Sequence, residues 1–139
     1  MGGTLRLLRT VQSAMVLSIL LYSVVGEVTG PRARPVDPSL SYVFTTVAVA
    51  LVGMIFVVRR TLVLRPAESL AAHPDDALAL NHWKTGYVAT YALCEALALL
   101  GFALRFMGYS LAHSLPYYVG GLVLLIFFRV TSPAPAASA

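Results

Sequence analysis

The sequence predicts an all-α membrane protein, four transmembrane helices arranged as two hairpins, and three observations carry that expectation. Of its 139 residues, 58% are hydrophobic and only 12% charged, about half the charged share of an ordinary soluble domain; mean hydropathy is +0.79. The apolar residues fall into four runs, separated by segments rich in proline, glycine or arginine. The basic excess, net +4, gathers at the ends of those runs and not on one amphipathic face. Lys and Arg placed this way signal topology, and nucleic acid is not an expected partner.

The first span is 11–28, entered through Gln12 and Ser13 after the basic pair Arg6 and Arg9, and left at Glu27. A basic start before an apolar run is also the layout of a secretory signal peptide. Here the run exceeds the usual apolar region of about 7–15 residues, and Val24-Val25-Gly26 is a poor cleavage site, so an uncleaved anchor is expected. Residues 30–38, GPRARPVDP, cannot continue a helix and read as a tight external loop. Ser39 then serves as N-cap for the second span, 40–58, about 28 Å long, which ends at Arg59 and Arg60 with Arg65 just beyond. Arg6, Arg9, Arg59, Arg60, Arg65, Lys84 and Arg129 fall on the side of the termini, against Arg32, Arg34 and Arg105 on the other. That bias predicts a multi-pass protein of the cell membrane with both termini cytoplasmic.

The one sizeable polar connection, 66–82, contains a helix start. His73-Pro74-Asp75-Asp76 puts proline in a first turn, where its missing N–H costs nothing, and two acids where the helix dipole favours negative charge. Helix three is therefore expected from near Pro74 to near Arg105, as a cytoplasmic helical stub over 74–83 followed by the span 84–105, with Trp83 in the interfacial belt. The fourth span, 113–129, is short in apolar length and leans on Tyr117, Tyr118 and Arg129 as amphipathic anchors. These elements make one transmembrane domain over 1–130, and 131–139, TSPAPAASA, reads as a disordered tail. Residues 50–57 align without gaps on 121–128, which would relate helices two and four as a parallel repeat.

Glu95 is the residue that most needs a reason. It lies roughly 15 Å along the helix from each of the bracketing charges Lys84 and Arg105, near the midplane of a hydrocarbon core about 30 Å thick. Its helical face holds Val88, Tyr91, Ala92, Ala98, Leu99 and Phe102. Ala92 with Ala96, Gly86 with Thr90, and Thr90 with Cys94 are small-residue pairs that admit a close neighbour, so Glu95 is expected to face the bundle and keep its proton. As a functional site it would be a proton-binding carboxyl with Tyr91, one turn away, as hydrogen-bond donor. As a structural one it would hydrogen-bond Ser18, Tyr22, Thr45 or Thr46 and fix packing. No second acid and no base stands at matching depth in the other spans.

The segment around it, Ala92-Leu93-Cys94-Glu95-Ala96-Leu97-Ala98-Leu99-Leu100-Gly101, resembles the carboxylate helix of the rotary ATPase proteolipids, the c and K type subunits: an alanine-rich run, a Glu, then a Gly about one and a half turns later. The resemblance spans about ten residues and implies an ion-carrying Glu95. In that family the carboxylate sits on the second helix of a hairpin against a glycine-repeat first helix. Here it sits on the first helix of the second hairpin, and 11–28 has no glycine ladder. Only the protonatable Glu95 is carried over.

Other chemistry finds little support. His73 and His82 belong to the stub and His113 to the outer loop, so no pair faces across the membrane as bis-histidine haem ligation requires. Cys94 is the only cysteine, which leaves no disulfide framework and no cysteine-based metal site. Glu27 can pair with Arg32, Arg34 or Arg105 at the outer end. No nucleophile triad, phosphate loop or carboxylate pair stands at a working spacing, so no catalysis, cofactor or metal is expected. The reading is a non-enzymatic accessory or interaction subunit that packs through the Glu95 face, against a membrane-protein partner or a second copy of itself. The alternative is a proton- or ion-translocating component with Glu95 as its site.

Overall fold

The computed structural model describes residues 2–133, and within them every regular element is helical. Helix α1 runs Gly2–Thr29 and α2 Pro38–Val58; a π-helical turn, Arg59–Leu64, leads directly into α3, Arg65–Ala72; α4 is Ala77–Phe106 and α5 Leu111–Phe127. Three rods are long and apolar enough to cross a membrane: α1, the continuous rod Pro38–Ala72, and α4. The fourth, α5, has 17 residues, about 25 Å at helical rise. Residues 134–139 of the expected tail lie outside the described residues.

Helix α4 is the axis. Trp83, Tyr87, Tyr91, Cys94, Ala98 and Leu104 are all buried on it, whereas α1 buries only Leu8, Ile19 and Gly26, and α2 only Ile55. The outer faces of α1 and α2 stay apolar and bare, with Leu17 68%, Val28 77% and Val49 67% exposed. Apolar surface on that scale needs lipid or protein against it and not water. Helix α1 lies parallel to α4, so that Tyr22 meets Glu95 and Gly26 meets Phe102 and Arg105 higher up. Helix α5 returns antiparallel, and the two backbones approach where small residues allow it. A Cβ on Gly121 would stand 2.7 Å from the Cys94 carbonyl oxygen, and one on Gly101 would stand 2.8 Å from Tyr117 Cβ.

Helix two does not stop at Val58, where Arg59 and Arg60 led the sequence to place its end. It continues to Ala72, and the physical reason lies in the π-helical turn. A proline ring clashes with the carbonyl four residues earlier and supplies no N–H of its own; for Pro66 that carbonyl is Leu62. Widening the helix over Arg59–Leu64, where the Arg65 N–H reaches back to Arg60 O, accommodates the ring. The Leu62 carbonyl instead points at α4, where only a glycine fits: a Cβ at Gly86 would lie 2.7 Å from Leu62 O.

The caps also move. Asp37, and not Ser39, caps α2: its carboxylate accepts from the Ser39 N–H at 2.9 Å, which holds its pKa below the ordinary carboxylate range. Asp76 caps α4 by accepting from the Leu78 and Ala79 N–H groups at 3.0 and 3.1 Å, so the helix opens at Ala77 and not near Pro74. The Ala79 N–H is the main cause of a lowered pKa there too.

Candidate functional site

The side chains of α4 sort by helical phase. Tyr87, Tyr91, Cys94, Ala98 and Gly101 face inward, while Val88, Ala92 and Leu99 are exposed, and Glu95 with Ala96 lies half-buried between the two faces. Glu95 therefore occupies the flank of α4 that α1 partly covers, and not the centre of the bundle. Of the small-residue pairs expected to admit a close neighbour, Ala92 with Ala96 does not, for the same reason, whereas Gly86, Thr90 and Cys94 of the other two are buried. The tight approaches to α4 are made at Gly86, Gly101 and Cys94, one helical phase away.

On that flank the Tyr22 hydroxyl donates to Glu95 Oε1 at 2.9 Å. Tyr22 is half-buried and its ring leans on Phe102, with centroids 5.8 Å apart. Among the described residues Tyr22 is the one hydrogen-bond partner of the acid. Tyr91 does not fill that role: it is fully buried, and its hydroxyl donates to the Phe128 carbonyl at 3.2 Å. Thr45 and Thr46 donate to their own helix, at Ser41 O and Tyr42 O. A carboxyl that is reachable from the side and held by one phenol can accept a second hydrogen bond from an incoming group.

A second cluster sits at the end of the bundle where α2 meets the π-helical turn. Trp83, Tyr87 and Tyr91 stack along α4 with centroid separations of 5.0 and 6.0 Å. The Arg59 guanidinium lies 4.1 Å from the Phe128 ring centroid and 5.5 Å from that of Tyr87. Its Nη1 is buried with no hydrogen-bond partner among the described residues. Sequence reasoning read Arg59 as a topology charge at a helix end. The four-residue spacing of Trp83, Tyr87 and Tyr91 marks an aromatic face on α4, but of these rings Tyr87 alone meets the guanidinium, together with Phe128, an arginine over aromatic faces being attracted by their π-charge.

At the opposite end Arg105 is buried, and its Nε donates to Glu27 Oε1 at 2.9 Å while Nη1 donates to the Pro31 carbonyl. Of the three partners open to Glu27, the structure selects Arg105, because Gly26 lets α1 approach α4 and α5 closely just there. The Arg34 N–H donates to Gly108 O at 3.0 Å, and Gly108 adopts φ +100°, so the loop after α1 is stitched to the α4–α5 turn. His73 lies before α4, His82 near its start and His113 in α5, with His113 Nδ1 2.9 Å from Ser110 Oγ. Among the described residues no three of His, Cys, Asp and Glu come together as metal ligands would. Comparison with protein-family models, with characterised proteins and with solved structures finds no match to this chain.

Proposed function

We propose that this chain is a non-enzymatic accessory subunit of the cell membrane, and that a helix of a partner membrane protein, or of a second copy, packs along the flank of α4 that carries Glu95. The supporting observation is the half-buried carboxyl on that flank, which has Tyr22 as its one donor among the described residues. Polar side chains facing one another across membrane helices contribute about 0.6–2 kcal/mol each, enough to select a partner when packing already brings the helices together. In this reading α5 is a fourth span, extended by its interfacial tyrosines and Arg129, and both termini are cytoplasmic, as the distribution of Lys and Arg favours. The turn at His73–Asp76 and the start of α4 then lie on the cytoplasmic side.

A proton- or ion-translocating role, which the proteolipid resemblance favours, draws on the same feature: a carboxyl on the side of a helix can be loaded and unloaded by a neighbour. Two substitutions separate the readings. Glu95→Gln keeps the size and the hydrogen bonding and should leave the assembled complex intact in a co-purification, whereas Glu95→Leu should dissociate it. Assembly that survives Glu95→Leu refutes docking through this face. If Glu95→Gln preserves assembly but abolishes a proton-dependent flux, the translocating reading replaces ours.

A further inference from the structure

We infer that the end of the bundle where α1 begins and α5 finishes holds a binding site for the phosphate of an anionic lipid headgroup. A cavity of about 610 Å3 opens there, lined by Arg9, Gln12 and Ser13 of α1 and by Arg129, Thr131 and Ser132 after α5. Such a volume is within the usual range for a small-ligand site. Two guanidinium groups offer forked N–H donors suited to phosphate oxygens, and the Ser13 and Thr131 hydroxyls line the cavity beside them, while Ser132 Oγ donates to the Pro133 carbonyl at 3.4 Å. No carboxylate of the described residues lines the cavity. Arg9 and Ser13 also line an adjoining cavity that contains Arg6, so the positive field extends along the first turns of α1.

The walls are fixed and not merely adjacent. Gln12 Nε2 donates to the Leu125 carbonyl at 2.8 Å, which ties α1 to α5, and Thr131 lies with its hydroxyl 3.5 Å from that of Tyr87 on α4. What favours a lipid over a soluble phosphate is the surface leading away from the cavity. Leu17, one turn beyond Ser13, is 68% exposed, and Phe127, two residues before Arg129, is 76% exposed. Acyl chains would lie along these apolar flanks while the headgroup phosphate enters between the arginines. Basic pockets between membrane helices are a recurrent means of holding such headgroups.

The full-length chain, reconstituted in phosphatidylcholine nanodiscs doped with phosphatidylglycerol and ejected into a native mass spectrometer, should retain phosphatidylglycerol in preference to phosphatidylcholine. An arginine near an anionic lipid surface contributes about fivefold in affinity, so R9Q/R129Q should retain it about thirtyfold less. R60Q/R65Q removes the same charge from arginines that line no part of the cavity and should retain clearly more phosphatidylglycerol than R9Q/R129Q. S132D, which leaves both arginines but puts an anion in the cavity, should also lose the lipid while keeping the parent's melting temperature. Equal loss in the two double variants, no preference for phosphatidylglycerol in the parent, or undiminished retention by S132D would each overturn the site. Displacement of the lipid by millimolar inorganic phosphate would reassign the pocket to a soluble anion and overturn the lipid assignment.

Discussion

The contact between Gly86 and the π-helical turn should be among the least forgiving in the protein, and alanine at that position tests it. A Cβ built there meets Leu62 O at 2.7 Å, Val63 Cγ2 at 2.7 Å and Leu62 C at 2.8 Å, against ordinary contacts that begin at 3.4 Å. The valine methyl can turn aside, but the Leu62 backbone cannot without disturbing the turn that accommodates Pro66. The rod Pro38–Ala72 must therefore move off α4 by roughly 0.7 Å, and overpacking of this kind costs about 1–3 kcal/mol. Alanine also gains about 1 kcal/mol in helix propensity over glycine, which would mask part of the loss. Gly53→Ala is the internal correction, because nothing lies within 4 Å of a Cβ there; it collects the propensity gain alone. The separation between the two variants then isolates the clash. Cys94, the only cysteine and fully buried, reports unfolding through a thiol-reactive fluorophore in an SDS titration of detergent-solubilised protein. If Gly86→Ala and Gly53→Ala unfold at the same SDS fraction, the close approach inferred here is wrong.

Tyr22→Phe removes the donor of Glu95 and should destabilise the chain by about 0.6–2 kcal/mol in the same titration, while Tyr91→Phe should leave Glu95 accessibility to carbodiimide labelling unchanged, because that hydroxyl bonds Phe128 O. Asp76→Ala should lower stability at neutral pH. Because the folded carboxyl titrates below its ordinary value of 3.8, its contribution is present above that value and lost as pH falls through the lower folded one, so the gap between parent and variant should close in strong acid; a gap that widens there would contradict the cap. Glycosylation-site or reporter insertions at Pro74 and after Arg129 should read cytoplasmic and one at Pro35 external; an external reading at Pro74 would invert the orientation proposed from the arginines.

The helices were legible because hydropathy and length are strong one-dimensional signals, and most of α1, the start of α2 and most of α4 follow from them. The continuation of helix two was not legible. Local rules treat Arg59-Arg60 as an end and Pro66 as a breaker, and nothing in the sequence announces that a wider turn will absorb the proline or that Gly86 will accept the displaced carbonyl. That compensation is tertiary. The Glu95 site was legible in part. Its place in the middle of an apolar run singled out the residue, and Tyr22 stood among the partners considered, but the choice between Tyr22 and Tyr91 depends on helical phase. Tyr91 is one turn from Glu95 along α4, yet its side chain projects toward α5, where Phe128 O terminates a helix and lacks an intrahelical donor. Arg59 shows the converse. A charge that reads as an anchor becomes an inward-facing cation once the helix runs past it and Tyr87 of α4 with Phe128 at the end of α5 form a shelf.

The parallel seating of α1 on α4 has a consequence for how the chain is made. Tyr22 and Glu95 are 73 positions apart, and at synthesis rates of about 5–20 residues per second the acid leaves the ribosome roughly 4–15 s after the phenol. For that interval α1 is without α4 and α5, the helices its packing surface meets in the finished bundle. A nascent chain stalled within the rod Pro38–Ala72 therefore has an α1 whose packing partners, α4 and α5, are still unmade. The Tyr22–Glu95 hydrogen bond is accordingly among the contacts that form only once α4 has been made.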